Sequence, residues 1–403
     1  VGDPFLIGGV IIACFVAFNI GGATTGPAFG PAVGANVLSK TTAGALMAVA
    51  FFGGAYTIGR RVVDTLGTEL VHDPSVFTLE ASIIVLFFIG GALLVGNLSG
   101  APASTSMTAV GAIIGLGLAS GELNFAVVGE ILAWWILSPI IGFWLAVMVG
   151  RYGYEALDRR VAIEQSDGPL LAFERVELGR WPVVRLRESP VVRMERISPK
   201  LWPALGPNTS WREAVGTAVL VSIGFLMAFS SGTSNIANAI APLVGSGALA
   251  MNPGILIGCG AVAVGALTIA RRTMETLGND ITDLPLTAAI VVALLSSLII
   301  IALSALGIPA SFVVVATLCI IGLGWGRSTQ AVSVGALARG DDATVGTVRS
   351  QSAPQGASRR TAPVRSDLFD PGTSVRVVLM QNVVPLLATG GSYLTFWLLP
   401  VGG

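Results

Sequence analysis

The sequence predicts an all-α polytopic membrane protein made of two inverted-topology repeats, with broken or re-entrant helices and about 10–12 membrane segments. Three observations lead there. The first is internal copying. Ile58-Gly-Arg-Arg-Val-Val-Asp-Thr-Leu-Gly67 returns as Ile269-Ala-Arg-Arg-Thr-Met-Glu-Thr-Leu-Gly278, 211 positions on. The same shift carries Phe18, Gly21, Ala28, Pro31 and Gly34 onto Phe229, Gly232, Ala239, Pro242 and Gly245. Pro102-Ala-Ser104 and Ile113-Ile-Gly-Leu-Gly117 recur 207 positions on, as Pro309-Ala-Ser311 and Ile320-Ile-Gly-Leu-Gly324. A duplicated apolar chain with Gly/Pro interruptions at matching places is the sequence form of a repeat-built secondary transporter.

The second observation is composition. The 403 residues are 53% hydrophobic and only 11% charged, with 51 glycines, and the mean hydropathy is +0.79. A soluble domain carries about 25% charged residues, so most of this chain lies in lipid or against lipid-embedded neighbours. The formal net charge is zero, which gives no basic field for nucleic acid. The third observation concerns two polar stretches, 151–211 and 326–374. Both carry arginines beside apolar runs (Arg151, Arg159, Arg160 and Arg212; Arg365 and Arg376). The positive-inside rule places both in the cytoplasm. One stretch follows the last span of repeat one, whereas the other precedes the last span of repeat two. Both share a face only if the repeats are inverted.

The elements then follow in order. Residues 1–150 form transmembrane repeat one, with apolar runs at 5–20, 41–58, 77–98 and 123–150 and shorter segments at 21–35 and 101–118. Val1-Gly-Asp-Pro4 lacks a basic leader pattern, so 5–20 reads as a retained span. Residues 151–211 are a polar cytoplasmic linker, either a small strand-rich subdomain or amphipathic structure. Repeat two begins over 212–325, with runs at 212–231, 248–270 and 283–306 and shorter segments at 234–247 and 309–325. Residues 326–374 read as a flexible linker, and 375–403 hold the last span, whose Pro385 is the counterpart of Pro139. The short segments are rich in Gly, Pro, Ser and Thr. Hydrocarbon cannot satisfy the backbone groups that such breaks expose, so these segments are expected inside protein, lining a cavity.

Chemistry is expected in those segments. Breaks in 18–34 and 229–245 would expose N–H groups and positive dipole ends suited to an oxyanion. Thr24, Thr25, Ser234, Asn235 and Asn238 would add donors, while close helix packing by small residues is the plainer alternative. Pro102-Ala-Ser-Thr-Ser-Met-Thr108 adds Ser104, Thr105 and Ser106. Its counterpart turns apolar after Ser311, so repeat one would supply most polar contacts. In the Arg60-Arg61 and Arg271-Arg272 pairs, Asp64 and Glu275 follow the first arginine by four residues, a spacing for intrahelical ion pairs. Asp64, Thr65, Glu130, Glu275 and Thr276 are the coupling or gating candidates. Cys14, Cys259 and Cys319 read as small apolar residues, and His72 has no partner set for a metal. Neither a catalytic triad nor a Walker loop is present, so neither an enzyme nor an ATP-driven pump is expected.

These residues resemble the inorganic phosphate transporter (PiT) family, which includes phosphate permeases and some sulfate permeases. The family carries a duplicated Gly-Ala-Asn-Asp-Val-Ala-Asn motif, a downstream Thr-Ile/Leu-Gly and a Pro-x-Ser-Thr-Thr-His stretch. Here Gly232-Thr-Ser-Asn-Ile-Ala-Asn238 is close to the first, Thr-Leu-Gly stands at 65–67 and 276–278, and Pro102-Ala-Ser-Thr-Ser-Met107 departs at its last two positions. The motif aspartates are replaced by Thr24 and Asn235, and Gly21-Gly-Ala-Thr-Thr-Gly-Pro27 keeps spacing but not chemistry. The resemblance implies a secondary-active phosphate permease working by alternating access, coupled to sodium or a proton, in the cell membrane, as a homodimer. Sulfate is the alternative substrate. A transport-inactive sensor or scaffold acting through 151–211 is the alternative of another class, separated by binding of labelled oxyanion. Neutral oxygens at 24 and 235 hold a hard cation weakly.

Overall fold

In the computed structural model, the described residues are 4–34, 37–98, 104–161, 171–175, 201–205, 211–270, 286–329 and 371–399. Repeat one holds α1 (Pro4–Gly34), α2 (Lys40–Gly54), α3 (Arg60–Asp64), α4 (Leu79–Leu98), α5 (Thr105–Ser120) and α6 (Phe125–Met148), and α7 (Tyr154–Val161) lies in the first polar stretch. Repeat two holds α8 (Trp211–Gly245), α9 (Met251–Leu267), α10 (Leu286–Ala305), α11 (Phe312–Ser328) and α12 (Pro371–Leu398). Among the described residues, six helical stretches are long and apolar enough to cross a membrane, and α5, α9 and α11 are shorter apolar helices. A short antiparallel pair, β1 (Leu171–Arg175) and β2 (Leu201–Leu205), joins Leu171 to Leu205 and Arg175 to Leu201. Strand structure is therefore present within the first polar stretch.

Glycine contacts show how the repeats meet. A Cβ on Gly21 would lie 2.1 Å from the Val262 carbonyl oxygen, and one on Gly232 would lie 2.0 Å from that of Phe51. Likewise a Cβ on Gly265 would lie 2.2 Å from the Phe18 carbonyl oxygen, and one on Gly54 would lie 2.0 Å from that of Phe229. The 211-position shift maps each pair onto the other with the repeats exchanged, as a two-fold axis requires. At the far end, Gly115 faces the Thr389 carbonyl and Gly322 faces that of Phe143. Such approaches let backbones pack where the hydrophobic effect gives helices no drive to associate.

Direction follows from the same contacts. Gly9, early in α1, faces Leu243, late in α8, whereas Gly224 in α8 faces Ala28 and Phe29 in α1. The corresponding first helices, α1 and α8, are thus antiparallel, which is consistent with inverted repeats.

Of the expected breaks, those ahead of 101–118 and 309–325 are present and those within 18–34 and 229–245 are not. Residues 18–34 and 229–245 are unbroken parts of α1 and α8, which run through Pro27, Pro31 and Pro242. The threonine hydroxyls find acceptors within the helix itself: Thr24 Oγ1 donates to Ile20 O at 2.8 Å and Thr25 Oγ1 to Gly21 O at 2.6 Å. The interruptions are between α4 and α5 and between α10 and α11. The first hairpin returns to its starting side, because Val71 bridges Leu123 and Asn124 N–H donates to Leu70 O. In the second, Gly307 makes the turn at φ +81°, and a Cβ there would lie 2.7 Å from Thr65 Oγ1.

Candidate oxyanion site between two hairpin tips

The start of α5 and the turn ahead of α11 meet against the middles of α1 and α8. Their ends are fixed by local chemistry: Ser104 is the N-cap of α5, its Oγ accepting from Met107 N at 3.2 Å, and Ser311 is the N-cap of α11. Ser311 makes no side-chain cap bond, which leaves the first-turn N–H groups of α11 without that partner. A cavity of about 90 Å³ lies here, lined by Ala23, Thr24, Pro27, Ala28, Ser104, Thr105, Met227, Ser231, Asn235, Ser311, Phe312 and Val313. A single water needs on the order of 10–15 Å³, so there is room for a small tetrahedral anion.

A hydroxyl and amide network surrounds the cavity. Asn235 Oδ1 accepts from Thr105 Oγ1 at 2.7 Å and from Asn238 Nδ2 at 3.2 Å, while Asn235 Nδ2 donates to Ser231 Oγ at 3.0 Å. Ser106 Oγ and Ser234 Oγ lie 3.3 Å apart, and both donate to Ala310 O, at 3.2 and 3.0 Å. Ser234 Oγ also accepts from Ala310 N at 3.2 Å. Repeat two thus contributes its hairpin tip as well as α8. Trp135 Nε1 donates to Pro309 O at 2.7 Å, and Arg61 Nη1 donates to Ala305 O.

The structure brings together Thr24, Ser104, Thr105 and Asn235 at the cavity wall. Ser106 and Ser234 stand behind it, binding the second tip. Thr25 is fully buried with its hydroxyl turned to its own helix. Asn238 is buried behind Asn235, and its Oδ1 has no partner. Among the coupling candidates, Thr65 is buried, its Oγ1 3.1 Å from both Arg61 O and Glu69 Oε2. Asp64 and Glu130 are exposed. Glu275 and Thr276 lie outside the described residues. Sequence reasoning missed Ser231, Ser311, Met227 and Trp135 as parts of this region. Ser311 was findable as the counterpart of Ser104, whereas nothing in the spacing marks Met227.

Among the described residues, the lining holds no charged side chain. Two helix N-termini at one cavity, with hydroxyls and a carboxamide on its wall where α1, α8 and two helical hairpins come together, fit a membrane transporter for small anions. The sequence profile of the Phosphate transporter family matches residues 20–340, and the chain belongs to that family. It is therefore a multi-pass membrane protein of a transporter family. A sulfate permease of Bacillus subtilis, CysP, is 28% identical over 320 residues, covering 79% of this chain and 77% of the relative. A protein of Pyrococcus furiosus with the provisional name of phosphate permease is 26% identical over 377 residues, covering 82% and 90%. A solved structure titled "The sodium-dependent phosphate transporter" shares the fold at a TM-score of 0.65, with 18% identity and 99% coverage of both chains.

Proposed function

We propose that this chain is a secondary-active inorganic phosphate permease of the cell membrane, working by alternating access. The observation that carries the proposal is the convergence of the α5 and α11 N-termini on one cavity, whose largely apolar wall carries the polar side chains of Thr24, Ser104, Thr105, Ser231, Asn235 and Ser311. Each helix end presents roughly half a positive charge, so two ends offset about one of the two negative charges of a divalent oxyanion. A co-transported cation supplies the rest. Thr24 and Asn235 stand where the family's motif has aspartates, and neutral oxygens attract sodium weakly. The driver proposed is therefore a proton rather than sodium.

Binding requires an exchange of hydrogen bonds. The Thr105 hydroxyl turns from Asn235 Oδ1 to the anion, while Ser104, Ser311 and the first-turn N–H groups are within the same wall. Both polar stretches are proposed to face the cytoplasm, supported by the antiparallel α1 and α8. Cysteines placed at Ser166 and Ser350 should then stay unlabelled when an impermeant thiol reagent is added to intact cells, and labelling of either contradicts that orientation.

Sulfate is the second reading, favoured by the uncharged lining. Phosphate near neutral pH carries a proton that wants an acceptor, whereas sulfate needs donors only. Equilibrium binding of labelled phosphate to purified protein, with unlabelled sulfate as competitor, separates the two. Phosphate binding that sulfate displaces only weakly supports the first reading, and stronger competition by sulfate than by phosphate reverses it.

A further inference from the structure

One pair of corresponding residues, on the last spans of the two repeats, is not hydrogen-bonded alike. The shift of 246 positions that carries Pro139 onto Pro385 also carries Phe143 onto Thr389. Packing confirms that register, since Gly322 meets the Phe143 carbonyl and Gly115, its counterpart, meets that of Thr389. The same shift carries Trp135 onto Gln381. Trp135 Nε1 holds the second hairpin through Pro309 O at 2.7 Å. Gln381 Nε2 is a buried donor with no partner. A buried unpaired donor is costly and calls for a reason. Here its counterpart shows what such a donor does at this place: it grips the carbonyl of a hairpin tip.

We infer that Trp135 and Gln381 are alternating latches, each fastening the hairpin of the other repeat in one of two opposite-facing states. In the state described, the Trp135 latch is closed and the Gln381 latch is open. Exchange of the two repeats' conformations opens the first and closes the second, so the Gln381 amide finds a carbonyl on the α4–α5 hairpin. Arg61, Ser106 and Ser234 also bind the second tip through Ala305 and Ala310, so the Trp135 bond tilts a balance rather than setting it alone. The inference rests on the alternating-access reading above. Trp135 and Gln381 act as positioning residues.

The signs of two substitutions test this. A reporter cysteine at Val313, in a background with Cys14, Cys259 and Cys319 changed to Ser, is labelled by an impermeant thiol reagent from each side of oriented proteoliposomes. Trp135→Phe keeps the ring and removes the donor. Gln381→Met keeps the length and removes the amide. Each should shift the ratio of labelling from the two sides by about two- to tenfold, the value of one neutral hydrogen bond, and the two shifts should have opposite signs. The double variant should return towards the parent ratio. Shifts of the same sign, as general damage produces, or no shift in either variant, overturn the inference. If Trp135→Phe does not fold, Gln381→Met alone must move the ratio towards the side favoured by the closed Trp135 latch, and the reverse shift or none overturns it. Labelling needs no substrate. Opposite shifts without oxyanion uptake would therefore keep the latches and remove the permease reading, whereas uptake with same-sign shifts would do the reverse.

Discussion

Gly232→Ala should lower the melting temperature in detergent sharply, and Gly21→Ala should behave the same way. The added methyl of Gly232→Ala would stand 2.0 Å from the Phe51 carbonyl oxygen, and that of Gly21→Ala 2.1 Å from that of Val262. Neither obstacle is a flexible side chain. The helices α2 and α8, or α1 and α9, must move apart, which opens a void along the whole line of contact. Overpacking of a core costs about 1–3 kcal/mol, occasionally more. Here the backbone displacement places the effect at the upper end. Gly54→Ala and Gly265→Ala, which complete the two-fold set, should match them, while Gly260→Ala, with nothing within 4 Å of its new methyl, should be neutral. Thermal stability in detergent measures all five. Equal losses within the set would confirm that the two interfaces are copies, and tolerance of Gly232→Ala would contradict the packing.

Asn235→Ala should lower affinity for the transported oxyanion by roughly ten- to a hundredfold, the value of about 1.5–3 kcal/mol for a bond to a charged group. Asn235 lines the cavity and its Oδ1 gathers donors from Thr105 and Asn238. Its loss leaves those donors without the acceptor that orients them. Ser104→Ala should fall in the same range, because Ser104 both lines the cavity and caps α5. Loss of the cap alone costs about 1 kcal/mol of stability. Binding and melting temperature should therefore be read together, and a normal affinity in both variants would move the site elsewhere.

Much of the fold was legible because lipid imposes simple demands. Every described helix but the short α7 falls on a stretch marked by apolar length or by a repeat copy, and both hairpin tips carry the duplicated Pro-Ala-Ser. The misplaced breaks have a physical cause. Gly21-Gly22-Ala23-Thr24-Thr25 looks like a helix breaker by composition, but Thr24 and Thr25 satisfy their own helix and the glycines serve close approach to α9. Sequence spacing cannot distinguish a glycine that ends a helix from one that admits a neighbour. For the site, hydroxyl and amide residues were marked correctly as a group. Their division into a cavity wall (Thr24, Ser104, Thr105, Asn235) and supports behind it (Ser106, Ser234, Asn238) depends on which face each turn presents. Trp135 and Gln381 were invisible because their link is a shift shared by two helices, not a resemblance between the residues.

Uptake into liposomes is the most direct test of the central claim that an oxyanion crosses this protein through the cavity between the two tips. Purified protein reconstituted in sodium-free buffer, under an imposed pH gradient, is given radiolabelled phosphate inside a concentration series. The expected result is saturable uptake that collapses when the pH gradient is dissipated and falls at least tenfold at subsaturating phosphate in Asn235→Ala. Uptake that stays at the level of protein-free liposomes, for phosphate and for sulfate alike, with or without sodium, would contradict it.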